Sequence, residues 1–245
     1  CLHRPRRLSD RSSDTDTGRR VTLYVINPNS TKTVTRGIDA AIAPLRAWGT
    51  GIACLTLAEG PPGIETDAHV AGVVAPLLTR IDTLDDATGI VVACFSDPGV
   101  ARLRKRVRVP VLGIREAAVT TALTLGDRFG VIAIGDASVR RHLAAFDEMG
   151  VSSRLAGDRP LGLSVTDLSD PKKCQSRMIE VARTLRDTDG ADVLIMGCAG
   201  MAQYRSPIEE ATGLPVVEPC QAAVAMALGR ITLGLTHQRG THDAG

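Results

Sequence analysis

The chain has 245 residues, 44% hydrophobic and 23% charged, with a formal net charge of +2, enough sequence to bury one large core or two smaller ones. Aromatic residues make up only 2%, which excludes a base-stacking platform. Six Arg and three Asp within residues 1–20 account for +3, so the remainder sits near −1 and carries no electrostatic footprint for nucleic acid.

Residues 1–20 lack the apolar run of a secretory signal and are expected to form a disordered extension. Six cysteines without such a signal point to free thiols in a reducing compartment, so a cytoplasmic protein is expected. No apolar run approaches 18 residues, and no membrane partner is expected.

From Val21 the pattern changes to short apolar runs alternating with helical spacing, the signature of a parallel α/β fold. A strand over 21–26 runs into "NPNS", and a helix follows with Ile38, Ala41, Ile42 and Leu45 on one face. A second strand spans 51–57, and Val70, Val73, Val74, Leu77 and Ile81 then recur at helical spacing. The third strand, 89–94, ends in Cys94. Asp97-Pro98 reads as an N-cap followed by proline at the first helical position. A fourth strand covers 109–114 and leads into an Ala-rich helix. The second half follows the same plan. A strand at 129–135 precedes a helix capped by Asp136 and carrying Val139, Leu143 and Phe146. Asp170-Pro171 opens another helix, with Cys174, Met178, Val181 and Leu185 on one stripe. A strand at 191–197 precedes Cys198, Ser206-Pro207 starts a short helix, and 214–219 is the last strand.

The halves are related by more than rhythm. "VPVLGIREAAVTTAL" (109–123) matches "LPVVEPCQAAVAMAL" (214–228) at seven of fifteen positions without a gap, and Cys94 and Cys198 lie 15 and 16 residues upstream of the two matches. The chain reads as a duplicated α/β unit that maps one thiol onto the other. Ligands of open parallel sheets bind beyond the carboxyl ends of the strands, so both cysteines belong to a functional edge. Two lobes facing each other would place one thiol on each side of a bound carbon, with the sulfurs about 7 Å apart, as acid and base on opposite faces. Backbone N–H groups beside them can hold a planar anion and favour a thiolate.

Around this pair, Asn29 and Ser30 of "NPNST" are positioned to bind a carboxylate or imide oxygen as well as to cap a helix. Glu116, Thr120 and Thr121 follow the fourth strand and are expected to line the cleft, with Glu65 a weaker candidate. Cys54 and Cys174 read as core, Cys220 starts the last helix, and Cys1 lies in the extension. "RLRKRVR" (102–108) and "HQRGTH" (237–242) read as solvated. No paired Cys/His spacing, Walker A, G-x-S-x-G or G-x-G-x-x-G occurs, so no metal and no nucleotide cofactor is expected.

"INPNST", "ACFSDPG", "PVLGIREAA", "GCAGM" and "PVVEPCQAAV" together resemble the aspartate/glutamate/hydantoin racemase superfamily, most closely the branch of hydantoin and allantoin racemases, from about Val21 to Ile231. The resemblance implies a cofactor-independent, metal-independent two-base racemase of small molecules, with Cys94 and Cys198 as the catalytic pair. It further implies that Phe95-Ser96, Ala199-Gly200 and Asn29 contact the substrate. It implies two Rossmann-like domains with the site between them and a final helix that crosses back. The first domain is then 21–118 plus 217–235, the second 119–216, and 236–245 a flexible tail. A homo-oligomer is expected. Arg115 and Cys220 depart from the family's usual residues, and an inward-facing Arg115 would favour a carboxylate or ureido oxygen. The competing readings are an amino-acid racemase, a decarboxylase or isomerase of the same superfamily, and a non-catalytic protein that closes on its ligand. The last gives no reason for thiols at both strand ends. The superfamily's arylmalonate decarboxylases work with a single cysteine at the second position.

Overall fold

The structure, a computed structural model, describes residues 22–237. The expected extension over 1–20 lies outside these residues, as does all of the expected 236–245 tail but its first two residues. Two four-stranded sheets, parallel throughout, form the framework. The first holds β1 (Thr22–Asn27), β2 (Gly51–Thr56), β3 (Ala87–Val92) and β4 (Val111–Gly113) in the order β2-β1-β3-β4. The second holds β5 (Phe129–Ala133), β6 (Leu155–Pro160), β7 (Val193–Met196) and β8 (Val216–Val217) in the order β6-β5-β7-β8. The orders are identical once β1 is set on β5, so the sequence repeat is a repeat of topology. The inner strands are apolar without alternation, because helices cover both faces. Ile90, Val91 and Val92 of β3 and Val193, Leu194 and Ile195 of β7 have no exposed surface.

The helices are α1 (Lys32–Ile42), α2 (Asp67–Gly72), α3 (Val74–Ile81), α4 (Val100–Arg106), α5 (Ile114–Ala122), α6 (Asp136–Glu148), α7 (Pro171–Asp187), α8 (Arg205–Thr212) and α9 (Pro219–Thr232). The halves exchange their last helices. α5 follows the first sheet yet packs on β7 and β8, whereas α9 follows the second sheet and packs on β1, β3 and β4. α5 and α9 also pack on each other. One apolar core therefore runs through both sheets, joining Leu23 and Val91 to Val131 and Ile195 by way of Ala118 and Ala223. The Ala-rich composition of both helices lets them approach this closely. Among the described residues no helix is long and apolar enough to cross a membrane.

Four expectations need correction. Asp97 does not cap the helix that follows it: α4 begins only at Val100, with Gly99 at the cap in the left-handed region (φ 73°). The Asp97 carboxylate turns instead onto the start of α5, where it accepts from the N–H groups of Arg115 (3.0 Å) and Glu116 (3.1 Å). Gly135, not Asp136, occupies the cap of α6, and its buried face is Ser138, His142, Ala145 and Phe146. Leu143, expected inside, is 46% exposed. His237 is not solvated either, since its Nε2 accepts from the Val111 N–H (2.6 Å) and it is half-buried. β6 had no counterpart among the expected strands. Its "LAGDRP" lacks apolar alternation because it is an edge strand, half-buried along its length, and a closing proline is tolerated there.

Candidate active site

Each cysteine stands two residues past the end of a strand, in the same local geometry. The Ala93 N–H donates to Ile26 O of β1 (2.8 Å), and Gly197 N–H donates to Ile132 O of β5 (2.9 Å). One residue on, the chain turns at the thiol: Asp97 N–H donates to Cys94 O (2.9 Å) and Met201 N–H to Cys198 O (3.1 Å). These paired bonds are the structural form of the repeat. They carry both thiols to a single cleft. Neither thiol is in a disulfide.

Among the other sequence-predicted residues, Asn29, Phe95, Ser96, Ala199 and Gly200 line this cleft. Asn29 is held by its oxygen, which accepts from Asn27 Nδ2 (2.9 Å) and from the Thr31 N–H (2.9 Å). Among the described residues its amide nitrogen has no such bond, which leaves N–H donors for a ligand. Ser30 is not brought to the cleft wall; its N–H donates to Pro61 O (3.0 Å). Glu116, Thr120 and Thr121 are also placed elsewhere. Glu116 pairs with Arg104 and accepts from Gly113 N–H (3.1 Å), while Thr120 and Thr121 donate to Glu116 O (2.7 Å) and Ala117 O (2.8 Å) within their own helix. Arg115 lies over the Cys94 turn, its guanidinium 3.7 Å from Asp97 and donating to Ser96 O (3.4 Å). Cys220 is fully buried in the shared core, away from the cleft. Glu65 acts as a tie: its carboxylate accepts from Val165 N–H (2.8 Å), joining the loop of Ile64 to that of Val165 across the cleft. Two residues that sequence reasoning missed, Ser138 and His142 of α6, complete one wall.

Both thiols keep part of their surface open to the cleft, yet protein surrounds them closely enough for desolvation to dominate. Burial pushes Cys94 up to about 11, opposed by hydrogen bonds from the Ser96 N–H and hydroxyl and by the positive charge of Arg141. Burial pushes Cys198 up to about 12, opposed by the Gly200 N–H and reinforced by the charge a Cys94 thiolate would carry. The pair therefore resists losing both protons, and a single thiolate is the charged form the site can hold. It follows that iodoacetamide should label both residues more slowly at pH 7.5 than it labels a free thiol. The rate should climb about tenfold for each pH unit toward 10, since the reactive thiolate fraction grows until pH reaches the raised value. Peptide mass spectrometry gives the two rates separately, and a plateau below pH 8 would contradict this environment.

Behind each thiol sits a buried carboxyl that caps a helix. In the second half it is Glu218, at the cap of α9, accepting from the N–H groups of Cys220 (3.1 Å) and Gln221 (2.6 Å). The repeat places Gly113 where Glu218 stands, and Asp97 reaches in from the Cys94 turn to supply the missing carboxyl. Burial raises both groups to about 7. The two halves thus reach one electrostatic arrangement with carboxyls from different positions.

Comparison with known proteins agrees with this architecture. Residues 23–227 match the family described as Asp/Glu/Hydantoin racemase. A hydantoin racemase of Rhizobium meliloti is 32% identical over 210 residues, covering 84% of this chain and 86% of that protein. The allantoin racemase of Pseudomonas fluorescens superposes with a TM-score of 0.83 at 29% identity, over 89% of this chain and 93% of that one. The allantoin racemase of Klebsiella pneumoniae gives 0.84 at 29% identity, over 91% of each. With its duplicated sheets and a thiol at each matching strand end, the chain belongs to the Asp/Glu/hydantoin racemase family.

Proposed function

We propose that this racemase inverts C5 of a 5-substituted hydantoin or of allantoin, with Cys94 and Cys198 as paired bases and without a metal or organic cofactor. The observation that carries the reading is the convergence of two topologically equivalent thiols on one cleft. C5–H stands next to a ring carbonyl, so its removal leaves an enolate. The thiolate of one cysteine takes the C5 proton and becomes a thiol, while the electron pair moves onto the carbonyl oxygen. The opposite thiol returns its own proton to the other face of C5 and becomes the thiolate. The next turnover can start from that side. Only one negative charge is present on the pair at either end, the condition its electrostatics favour.

The lining of the cleft supports an uncharged ring over a free amino acid. Its apolar walls include Val34, Ile64, Phe95, Ile134 and Val165, and among the described residues no Asp, Glu, Lys or Arg lines it. A zwitterion would need a counter-charge for each end, whereas a cyclic urea needs only hydrogen bonds and apolar contact. Single-enantiomer hydantoins and allantoin, incubated with the enzyme in D2O and EDTA, should lose optical activity to zero and gain deuterium at C5. Loss of neither signal beyond the uncatalysed rate across the panel, with turnover of a free amino acid, would replace this reading.

A further inference from the structure

His142 is a buried polar group on the cleft wall, and the two-thiol chemistry leaves it unused. It sits on the second turn of α6, only 1% exposed, and its Nδ1 lies 2.8 Å from a carboxylate oxygen of Asp158 on β6, whose side chain is equally buried. Its ring meets the edge of Phe95, next to Cys94 in sequence, with centroids 4.9 Å apart and planes at 74°. Phe146 lies behind it, with centroids 6.1 Å apart. The imidazole is therefore fixed on three sides, and it lines the cleft together with Ser138, one turn earlier. Among the described residues no bond is made to its Nε2.

The chemistry of that edge follows from the partner on the other. An ionised carboxylate only accepts, so the Nδ1 of a neutral ring carries the proton and Nε2 presents a lone pair. The complement of a lone pair on a cleft wall is an N–H donor. We propose that His142, clamped by Asp158 and Phe95, is a substrate-binding residue whose Nε2 accepts a ring N–H of a cyclic urea or imide. This rests on the proposed hydantoin reading and deepens it. The thiols act on carbon, and His142 selects for the nitrogen-bearing ring that surrounds it. A carboxylate at the same point would set one acceptor against another.

The test compares one 5-substituted hydantoin with its N1-methyl and N3-methyl derivatives, in the wild type, His142→Leu and His142→Gln, with melting temperature measured for each protein. In the wild type, at least one methylated substrate should lose tenfold or more in kcat/KM. His142→Leu, similar in size but without an acceptor, should cost the parent hydantoin about 10- to 100-fold while changing the disfavoured methylated substrate by less than about threefold. The selectivity ratio should therefore collapse. His142→Gln, which keeps an acceptor at the end of a chain of similar reach, should recover part of the ratio. A merely structural histidine would lower all substrates together, and an unchanged ratio in His142→Leu overturns the assignment while leaving the racemase reading intact. A wild type inactive on every hydantoin overturns both.

Discussion

Cys94→Ser and Cys198→Ser should each abolish racemisation, by on the order of 10²- to 10⁴-fold in kcat, and each should leave a different half of the reaction behind. Serine fits the space of the thiol and can form similar hydrogen bonds, so neither variant should disturb the turns that hold Asp97 N–H to Cys94 O or Met201 N–H to Cys198 O. What serine lacks is acidity. Its hydroxyl neither becomes a base at accessible pH nor returns a proton to an enolate at a useful rate. The remaining cysteine still faces one side of C5, however, and can remove and return a proton there. In D2O, Cys94→Ser should exchange C5–H in one enantiomer only, with retained configuration, and Cys198→Ser should do so in the mirror enantiomer.

That mirror relation is the informative part. A single-base enzyme, as a decarboxylase-like mechanism would require, tolerates the loss of one cysteine and gives no reciprocal pattern. Mass spectrometry with chiral chromatography reads both quantities in one sample. Racemisation within tenfold of the wild type in either variant, or exchange of the same enantiomer by both, would remove the two-base mechanism.

The two matching thiols and the duplicated fold were legible in the sequence because both leave local, repeated marks. A strand buried on both faces is a short apolar run, and a thiol after each such run is visible without any knowledge of packing. Three of the residues that miss the cleft share a different origin. Glu116, Thr120 and Thr121 lie on α5, which follows the first sheet but packs on the second, and no local pattern encodes that exchange. Their side chains turn to Arg104, to Gly113 and to carbonyls of their own helix. His142 was hidden for a related reason. Periodicity counts apolar residues, so the buried face of α6 was drawn through Leu143 rather than through a histidine whose burial depends on Asp158, 16 positions away on an edge strand. Asp97-Pro98 carried a true capping signal but pointed to the wrong helix. The backbone at Asp97 takes a positive φ of 48°, which sends its carboxylate to α5 rather than α4.

The position that makes this long-range cap possible is Gly113, and Gly113→Ala should cost both stability and activity. Its backbone (φ −91°, ψ 147°) is one that alanine adopts freely, so the effect is one of space and not of conformation. A Cβ built there would overlap the Asp97 carboxyl group; even the farther carboxylate oxygen would stand only 2.5 Å away. Asp97 is a short side chain in a constrained turn and cannot yield without losing the N–H groups of Arg115 and Glu116 and its approach to the Arg115 guanidinium. Overpacking together with an uncapped helix start should destabilise the protein by about 2–4 kcal/mol, read as a lower urea midpoint. Gly37→Ala is the matched control. It sits on the exposed face of α1 with open space around it, and should be neutral or stabilising by up to about 1 kcal/mol. Because Asp97 N–H also closes the Cys94 turn, the damage should be one-sided. In Gly113→Ala, the alkylation rate of Cys94 and the exchange of the enantiomer it serves should change, while both quantities for Cys198 stay near wild type. Racemisation, which needs both faces, should fall with the weaker one. A Gly113→Ala protein as stable and as active as the wild type would mean that the Asp97 carboxyl neither caps α5 nor holds the Cys94 turn.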